Sequence, residues 1–231
     1  MQKKNKSVLF LVPTPIGNYK DITLRAIETL NEADLIICEE FKEAWRLFSK
    51  LEIKPKELIS LNEHNEQESV FEVIAKIKEV EKSALISDAG SPVFSDPGTY
   101  LLREILKTDI EVVPLPGANS VITALIGSGF NLNNFYFAGW LPQKKEMRRK
   151  ALFALKKKNE LLILMETPYR LRKLLSEVST VFGANQEVVL AYNLTMESEK
   201  FFRGKIGNIS KFAEQKKLKG VFVLIIENRR K

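Results

Sequence analysis

The stretch Ser87-Asp88-Ala89-Gly90-Ser91-Pro92-Val93-Phe94-Ser95-Asp96-Pro97-Gly98 has the composition of a loop that holds a ligand. Small residues at Ala89, Gly90 and Ser91 leave main-chain N–H and C=O groups uncovered, so a ligand can hydrogen-bond to the backbone directly. Two prolines and two glycines restrict or license the local dihedrals, which suits a loop that keeps one shape before anything binds. A plain strand-to-helix turn uses the same residue types, so the loop alone does not decide between the two. A second small-residue loop, Pro13-Thr14-Pro15-Ile16-Gly17-Asn18, also follows an apolar run, and the two are expected to line one crevice. Neither GxGxxG nor GxxxxGK[ST] occurs in the chain, which leaves dinucleotide-binding and P-loop chemistry unsupported.

The titratable candidates are few. His64 is the single histidine, in Asn62-Glu63-His64-Asn65-Glu66, and a lone histidine is not a metal site. Its imidazole titrates near neutrality and can serve acid-base work, or the segment can position a hydroxyl or phosphate. Equally, Asn65 can cap the next helix and leave His64 merely exposed. Glu39-Glu40 is open in the same way, as a solvated acidic turn or as carboxylates at the mouth of the crevice. Cys38, the one cysteine, sits in an apolar run and reads as a buried small hydrophobe. It excludes an internal disulfide, a thiolate zinc cluster and a CxxC pair, and fits a reducing, cytoplasmic setting.

Between Lys144 and Lys158 there are eight basic residues and one acid, Glu146, with Met147, Ala151, Leu152 and Leu155 as an apolar stripe. Such a helix can hold to its domain by one face and offer Lys and Arg to phosphates with the other. The nearby aromatics Phe135, Tyr136, Phe137 and Trp140 follow the strand period and are expected in the core rather than as base-stacking platforms. The whole chain carries a net charge of +7, but residues 1–116 hold 15 basic and 20 acidic side chains, while the remainder holds 21 and 9. An acidic half joined to a strongly basic half points the second half toward a polyanion such as RNA.

These candidates have to be carried by an α/β scaffold. Apolar strand candidates at 8–12, 34–38, 58–61, 84–86 and 110–113 alternate with helical patterns, notably after Asp21, a plausible N-cap, and over 66–81. That alternation predicts a largely parallel open sheet with helices on both faces. Pro114-Leu115-Pro116-Gly117 breaks the pattern where the charge changes sign, which places a boundary between an N-terminal α/β domain, 1–116, and a C-terminal α/β domain, 117–231. In the second, helices are expected at 118–126, 144–157 and 168–178, and strands at 133–141, 161–165, 188–192, 201–205 and 220–226, in a mixed sheet. No apolar run reaches the ~20 residues that span a bilayer, and the run after the basic tip Met1-Gln2-Lys3-Lys4-Asn5-Lys6 is too short for a signal-peptide core.

Taken in order, the motifs resemble those of a known family, the tetrapyrrole methylase-like (class III) S-adenosylmethionine-dependent methyltransferases. Within it the chain is most similar to the branch that methylates a cytidine 2′-hydroxyl of small-subunit ribosomal RNA. The resemblance rests on Thr14-Pro15-Ile16-Gly17-Asn18, Asp21-Ile22-Thr23-Leu24-Arg25-Ala26, Glu63-His64-Asn65, the 87–98 loop, Pro116-Gly117, Gly139-Trp140-Leu141-Pro142 and Thr167-Pro168-Tyr169-Arg170-Leu171. It implies two α/β domains with S-adenosylmethionine in the cleft between them, usually in a homodimer. The implied cofactor contacts are Pro15, Asp88, Ala89, Gly90, Ser91 and Phe94, then Ser120, Leu141 and Thr167. An alcohol is a poor nucleophile, so the implied reaction needs alignment and a proton acceptor, for which Glu40, Glu63 and His64 are the candidates. Lys42, Asn65, Lys144, Arg148, Arg149 and Lys150 are the candidates for holding RNA.

The chain also departs from the branch. Glu39-Glu40-Phe41-Lys42 stands where Glu-Asp-Thr-Arg is usual, exchanging a guanidinium fork for an ammonium. Asn62 stands where a histidine is common, Asn193 and Met196 replace charged positions, and Lys231 ends the chain without the carboxyl-terminal extension of many members. Methylation of a tetrapyrrole-type small molecule, and a non-catalytic RNA-binding relative, are the alternatives.

Overall fold

The computed structural model describes residues 6–229, so the basic tip Met1-Gln2-Lys3-Lys4-Asn5 lies outside the described residues. The chain divides into two compact units, Met1–Asn119 and Ser120–Lys231.

The first unit is a five-stranded sheet built from β1 (Val8–Val12), β2 (Leu35–Cys38), β3 (Leu58–Ser60), β4 (Lys82–Ile86) and β5 (Glu111–Pro114). Its order is β3-β2-β4-β1-β5, and every pairing is parallel. Between the strands run α1 (Leu24–Glu32), α2 (Phe41–Leu51), α3 (Glu66–Glu79) and α4 (Thr99–Ile105). The central strands are continuous apolar runs because both faces are covered. Ile36, Cys38, Ala84 and Ile86 pack toward α1 and α2, while the alternate residues Leu35, Ile37 and Leu85 pack toward α3 and α4. The sequence pattern after Asp21 starts two residues later than expected. Thr23 is the cap of α1, its Oγ accepting the Ala26 N–H at 3.1 Å, and Asp21 closes a short 3-10 turn instead. Helix α2 has a readable signal, since Ala44, Leu47, Phe48 and Leu51 fall at helical spacing.

The second unit holds β6 (Phe135–Trp140), β7 (Leu161–Met165), β8 (Glu187–Tyr192), β9 (Lys200–Lys205) and β10 (Phe222–Glu227) in the order β6-β7-β10-β8-β9. Only the β6–β7 pairing is parallel, so the sheet is mixed. Helices α6 (Lys145–Lys156), α7 (Leu171–Phe182) and α8 (Ile206–Gln215) cover one core, with Leu152, Leu174, Leu175 and Ile206 over Leu162, Leu164, Leu190 and Leu224. Helix α5 (Ser120–Ser128) packs against β8, β9 and β10.

Two expectations for this unit are corrected. Phe135, Tyr136 and Trp140 are 40%, 37% and 49% exposed rather than in the core. Phe135 and Tyr136 are neighbours and both exposed, so burial does not alternate along β6, which has an irregular register between Phe137 and Gly139 and lies at the sheet edge, where strand order leaves its faces partly uncovered. Arg148, expected on the phosphate-facing side of α6, is fully buried. Arg148, Leu152 and Leu155 form the inward i, i+4, i+7 stripe, whereas Met147 is exposed.

Candidate functional site

All five strands of the first sheet are parallel, so the loops that follow them emerge at one edge. Residues 13–18, 39–40, 62–65, 87–98 and 115–119 all lie there. The chain leaves β1 for α1 on one face and β4 for α4 on the other, which makes the seam between these neighbours the topological switch point, where open α/β sheets bind ligands.

At this seam the loops are bonded to each other. Thr14 and Gly90 form an isolated antiparallel bridge, with Thr14 N–H donating to Gly90 O at 2.9 Å and Gly90 N–H donating to Thr14 O at 3.1 Å. The Thr14 hydroxyl donates to Ser87 O at 3.0 Å, and Ser87 Oγ donates to Gly90 O at 2.8 Å. Ser91 Oγ donates to Ala118 O at 3.2 Å, which draws in the segment after β5. Gly90 has φ +92°, and a Cβ there would meet Ile16 at 3.2 Å. Only glycine occupies this corner without strain. Val93 at φ +69° and Ser95 at +67° are non-glycine residues in left-handed backbone, the kind of local strain that gathers in functional loops.

The far end of the loop is anchored by a residue that the motif reading had not assigned. Glu66, the first residue of α3, accepts the N–H groups of Gly98, Tyr100 and Leu101 on one carboxylate oxygen at 3.0, 2.9 and 3.0 Å. Helix α4 begins at a glycine, which has no side chain to cap it, and the carboxylate from α3 satisfies its free N–H groups.

The edge is strongly acidic. Partial burial, followed by Asp88, Asp96, Glu40 and Glu63, pushes the Glu39 carboxyl up to about 7. Burial and Asp88 push Asp96 up to about 6. Asp88, an exposed residue whose carboxyl is partly desolvated by the surrounding loops, is raised as well, although its Oδ1 accepts the Glu40 N–H at 3.2 Å. Cys38, buried beneath them, is pushed up to about 12, first by burial and then by Asp88 and Glu40, which makes it a poor nucleophile.

The other residues expected at this edge differ in their surroundings. Pro15 is half-buried, whereas Glu40, Lys42, Asp88, Ala89 and Phe94 are exposed. Glu63 and His64 are 79% and 86% exposed in their side chains, with His64 Nε2 3.7 Å from Glu63 Oε1. Asn65 precedes α3 without capping it by its side chain. Its Oδ1 accepts the Asn62 N–H at 2.8 Å, and Asn62 Oδ1 accepts the His64 N–H at 3.0 Å, so the two asparagines brace the loop. Glu39, Asp88 and Asp96 emerge as the perturbed acids, chiefly through burial, which the sequence does not show; for Glu39 the carboxylates Asp88 and Asp96 also arrive from a distant loop.

In the second unit, a cavity of about 380 Å³ is lined by Trp140, Leu141, Gln143, Glu166, Thr167, Tyr169 and Arg170. The expected residues Leu141 and Thr167 both line it. Thr167 Oγ is buried with no hydrogen-bond partner among the described residues, so a polar group is on offer there. Ser120, the first residue of α5, is half-buried. Lys144, Arg149 and Lys150 are exposed at α6, with the Arg149 guanidinium over the Phe153 ring at 5.5 Å.

Residues 8–210 match the family described as Tetrapyrrole (Corrin/Porphyrin) Methylases. The chain belongs to this family. Among its relatives, "Ribosomal RNA small subunit methyltransferase I" of Bacillus subtilis is 40% identical over 97% of this chain and 76% of its own length. The Thermotoga maritima protein of the same name is 39% identical over 96% of this chain and 98% of its own length. Among solved structures, a diphthine synthase superposes with a TM-score of 0.74 at 14% identity, over 95% of this chain and 88% of that one. A Thermus thermophilus uroporphyrin-III C-methyltransferase complexed with S-adenosylhomocysteine superposes with a TM-score of 0.65 at 13% identity, over 95% and 96%. At such identities these two structures establish the fold alone. The family's two-sheet fold is the one found here, a parallel five-stranded sheet and a mixed one.

Proposed function

We propose that this chain is an S-adenosylmethionine-dependent methyltransferase acting on a ribose 2′-hydroxyl, that of a cytidine, in small-subunit ribosomal RNA. The observation that carries the reading is identity of 37–41% along almost the whole chain to bacterial proteins named as small-subunit ribosomal RNA methyltransferases. The basic second unit supports a polyanionic substrate, with 21 basic against 9 acidic residues.

The residues present fit the cofactor. Glu39, Asp88 and Asp96 are all held above their ordinary range, chiefly by burial, with the Asp88 charge acting on both Glu39 and Asp96, and a cation relieves that cost. The cavity with Leu141 and Trp140 supplies apolar walls, and Thr167 Oγ supplies a free polar partner. When bound, S-adenosylmethionine supplies an electrophilic methyl group on a sulfonium. The Thr14–Gly90 bridge holds the main chain of 88–91 in place for it, and Pro15, Ala89, Ser91, Phe94 and Ser120 belong to the same proposed contact set.

The proton of the ribose hydroxyl goes to a carboxylate oxygen of Glu39. Without the cofactor Glu39 is held at about 7, and a sulfonium beside it favours the ionised form that a general base needs, in a half-buried position that Glu40, Glu63 and His64 lack. Lys42, Asn65, Lys144, Arg149 and Lys150 hold the RNA backbone; Arg148 does not. No helix among the described residues is long and apolar enough to cross a membrane. We place the enzyme, as a homodimer, in the cytoplasm with its ribosomal RNA substrate.

The test is methyl transfer from labelled S-adenosylmethionine to small-subunit RNA from a strain lacking the corresponding activity, with the modified nucleotide mapped. One 2′-O-methylcytidine is expected. Failure to label RNA, with transfer to a porphyrin precursor instead, overturns the proposal.

A further inference from the structure

Arg148 is the largest fully buried side chain among the described residues, and it is a cation on a helix otherwise rich in solvated cations. Its Nη1 donates to Glu166 Oε2 at 2.7 Å, a pair whose side chains are 1% and 3% exposed. Its Nε lies 3.0 Å from Glu177 Oε2 of α7, a charge contact that is not aligned as a hydrogen bond. Glu166 Oε2 also has Arg170 Nη1 at 3.8 Å, and Glu166 Oε1 accepts the backbone N–H of Thr167 at 2.9 Å. One guanidinium therefore joins α6 and α7 to the turn between β7 and the 3-10 segment Pro168–Arg170, which carries Thr167.

A buried ion pair stabilises little on balance, because desolvating both charges offsets most of their attraction. Its retention in the core calls for a reason other than stability. The reason available here is geometric. Glu166 and Thr167 both line the 380 Å³ cavity, and the carboxylate fixed by Arg148 is the group that holds the Thr167 N–H.

We infer that Arg148 is a positioning residue for cofactor binding, holding the Glu166–Thr167 turn at the wall of the cavity through the buried Glu166 carboxylate. The inference rests on the reading that this cavity takes part of S-adenosylmethionine. It assigns to an arginine inside a basic helix a role opposite to that of its neighbours, which face outward to RNA. A binding wall built on groups locked by such supporting contacts keeps its geometry, and loses it when the support is removed.

The variant that separates this role from simple stability is Arg148→Met/Glu166→Leu, which removes both buried charges together. The charges left behind are on Arg170 and Glu177, whose side chains are 32% and 22% exposed; Glu177 Oε2 is buried beside Arg148, so this carboxylate has to turn toward water in the double variant. The double variant is expected to melt cooperatively near the wild-type temperature. It is also expected to bind S-adenosylhomocysteine in calorimetry ~10-fold or more weakly, the scale of one charge-assisted hydrogen bond, and to raise the KM for S-adenosylmethionine while leaving the KM for RNA unchanged. Thr167→Val is run beside it. If that substitution leaves S-adenosylhomocysteine affinity unchanged, the reading of the cavity fails and the inference falls with it. If Thr167→Val weakens binding but the folded double variant binds as wild type does, the inference alone is overturned. A rise in the RNA KM instead would return Arg148 to phosphate binding and also overturn it. Should the double variant not melt cooperatively, Glu166→Gln decides: a raised cofactor KM with an unchanged RNA KM is expected, and an unchanged cofactor KM overturns the inference.

Discussion

Replacing Glu66 by alanine removes one side chain from α3 and leaves three N–H groups of another segment without their acceptor. The donors are Gly98, Tyr100 and Leu101, all within 3.0 Å of the same oxygen. Gly98 and Leu101 are buried and Tyr100 is half-buried, so water reaches at most part of the set. Hydrogen bonds to a charged group contribute about 1.5–3 kcal/mol each, and three sharing one acceptor contribute less than their sum. We expect a loss of about 2–4 kcal/mol. At ~2–4 °C per kcal/mol for a chain of this size, the melting temperature falls by roughly 5–15 °C. Glu66→Gln keeps an acceptor oxygen and drops the charge, and is expected to cost about half as much. Calorimetric melting gives the first reading, and hydrogen exchange at the Leu101 amide gives the second, with protection falling in step. S-adenosylhomocysteine affinity should fall as well, since the 87–98 loop loses its far anchor. A Glu66→Ala protein that melts within about 1 °C of wild type, with Leu101 still protected, would refute the argument.

Three further outcomes follow from the same geometry. Gly90→Ala places a Cβ 3.2 Å from Ile16 at φ +92°, and is expected to cost about 1–2 kcal/mol by melting and to weaken S-adenosylhomocysteine binding. Glu39 titrates at about 7 and Asp96 at about 6 in the folded protein, above their ordinary values of 4.5 and 3.8. The folded state therefore holds these protons more tightly, and the stability they contribute is present below the ordinary values and lost as pH rises through 6–7. Glu39→Gln and Asp96→Asn should raise the melting temperature at pH 8 and leave it unchanged at pH 4, while Glu39→Gln slows methyl transfer and abolishes its rise toward pH 7. Lys144→Glu/Arg149→Glu/Lys150→Glu should raise the RNA KM, flatten its salt dependence and leave calorimetric cofactor binding unaltered.

Chain-local chemistry already specified much of this protein. The strands appear as apolar runs between turn residues, β7 at the residues read from the sequence, and the helices as apolar periodicity. The 13–18 and 87–98 loops stand out because small residues, glycine and proline have local conformational consequences. The ordered motifs identified the family, since spacing along a chain is itself a sequence property. The burial of Arg148 was half-legible: its i, i+4, i+7 relation to Leu152 and Leu155 put it on the inward stripe, but an arginine there is expected outside unless an acid meets it. That acid, Glu166, lies 18 residues away on another element.

What only the tertiary structure decided are the properties that depend on neighbours distant in sequence. The exposure of Phe135, Tyr136 and Trp140 follows from β6 lying at a sheet edge, and strand order is not encoded in any one strand. The raised carboxyl of Glu39, proposed above as the base, follows from partial burial and from Asp88 and Asp96, which arrive from another loop. Glu66 became an anchor because α3 and α4 pack side by side. Covalent spacing fixes which groups the protein owns, whereas dielectric surroundings, hydrogen-bond partners and charge neighbours are set by packing, and those are the terms that turn a carboxylate into a base or an arginine into a brace.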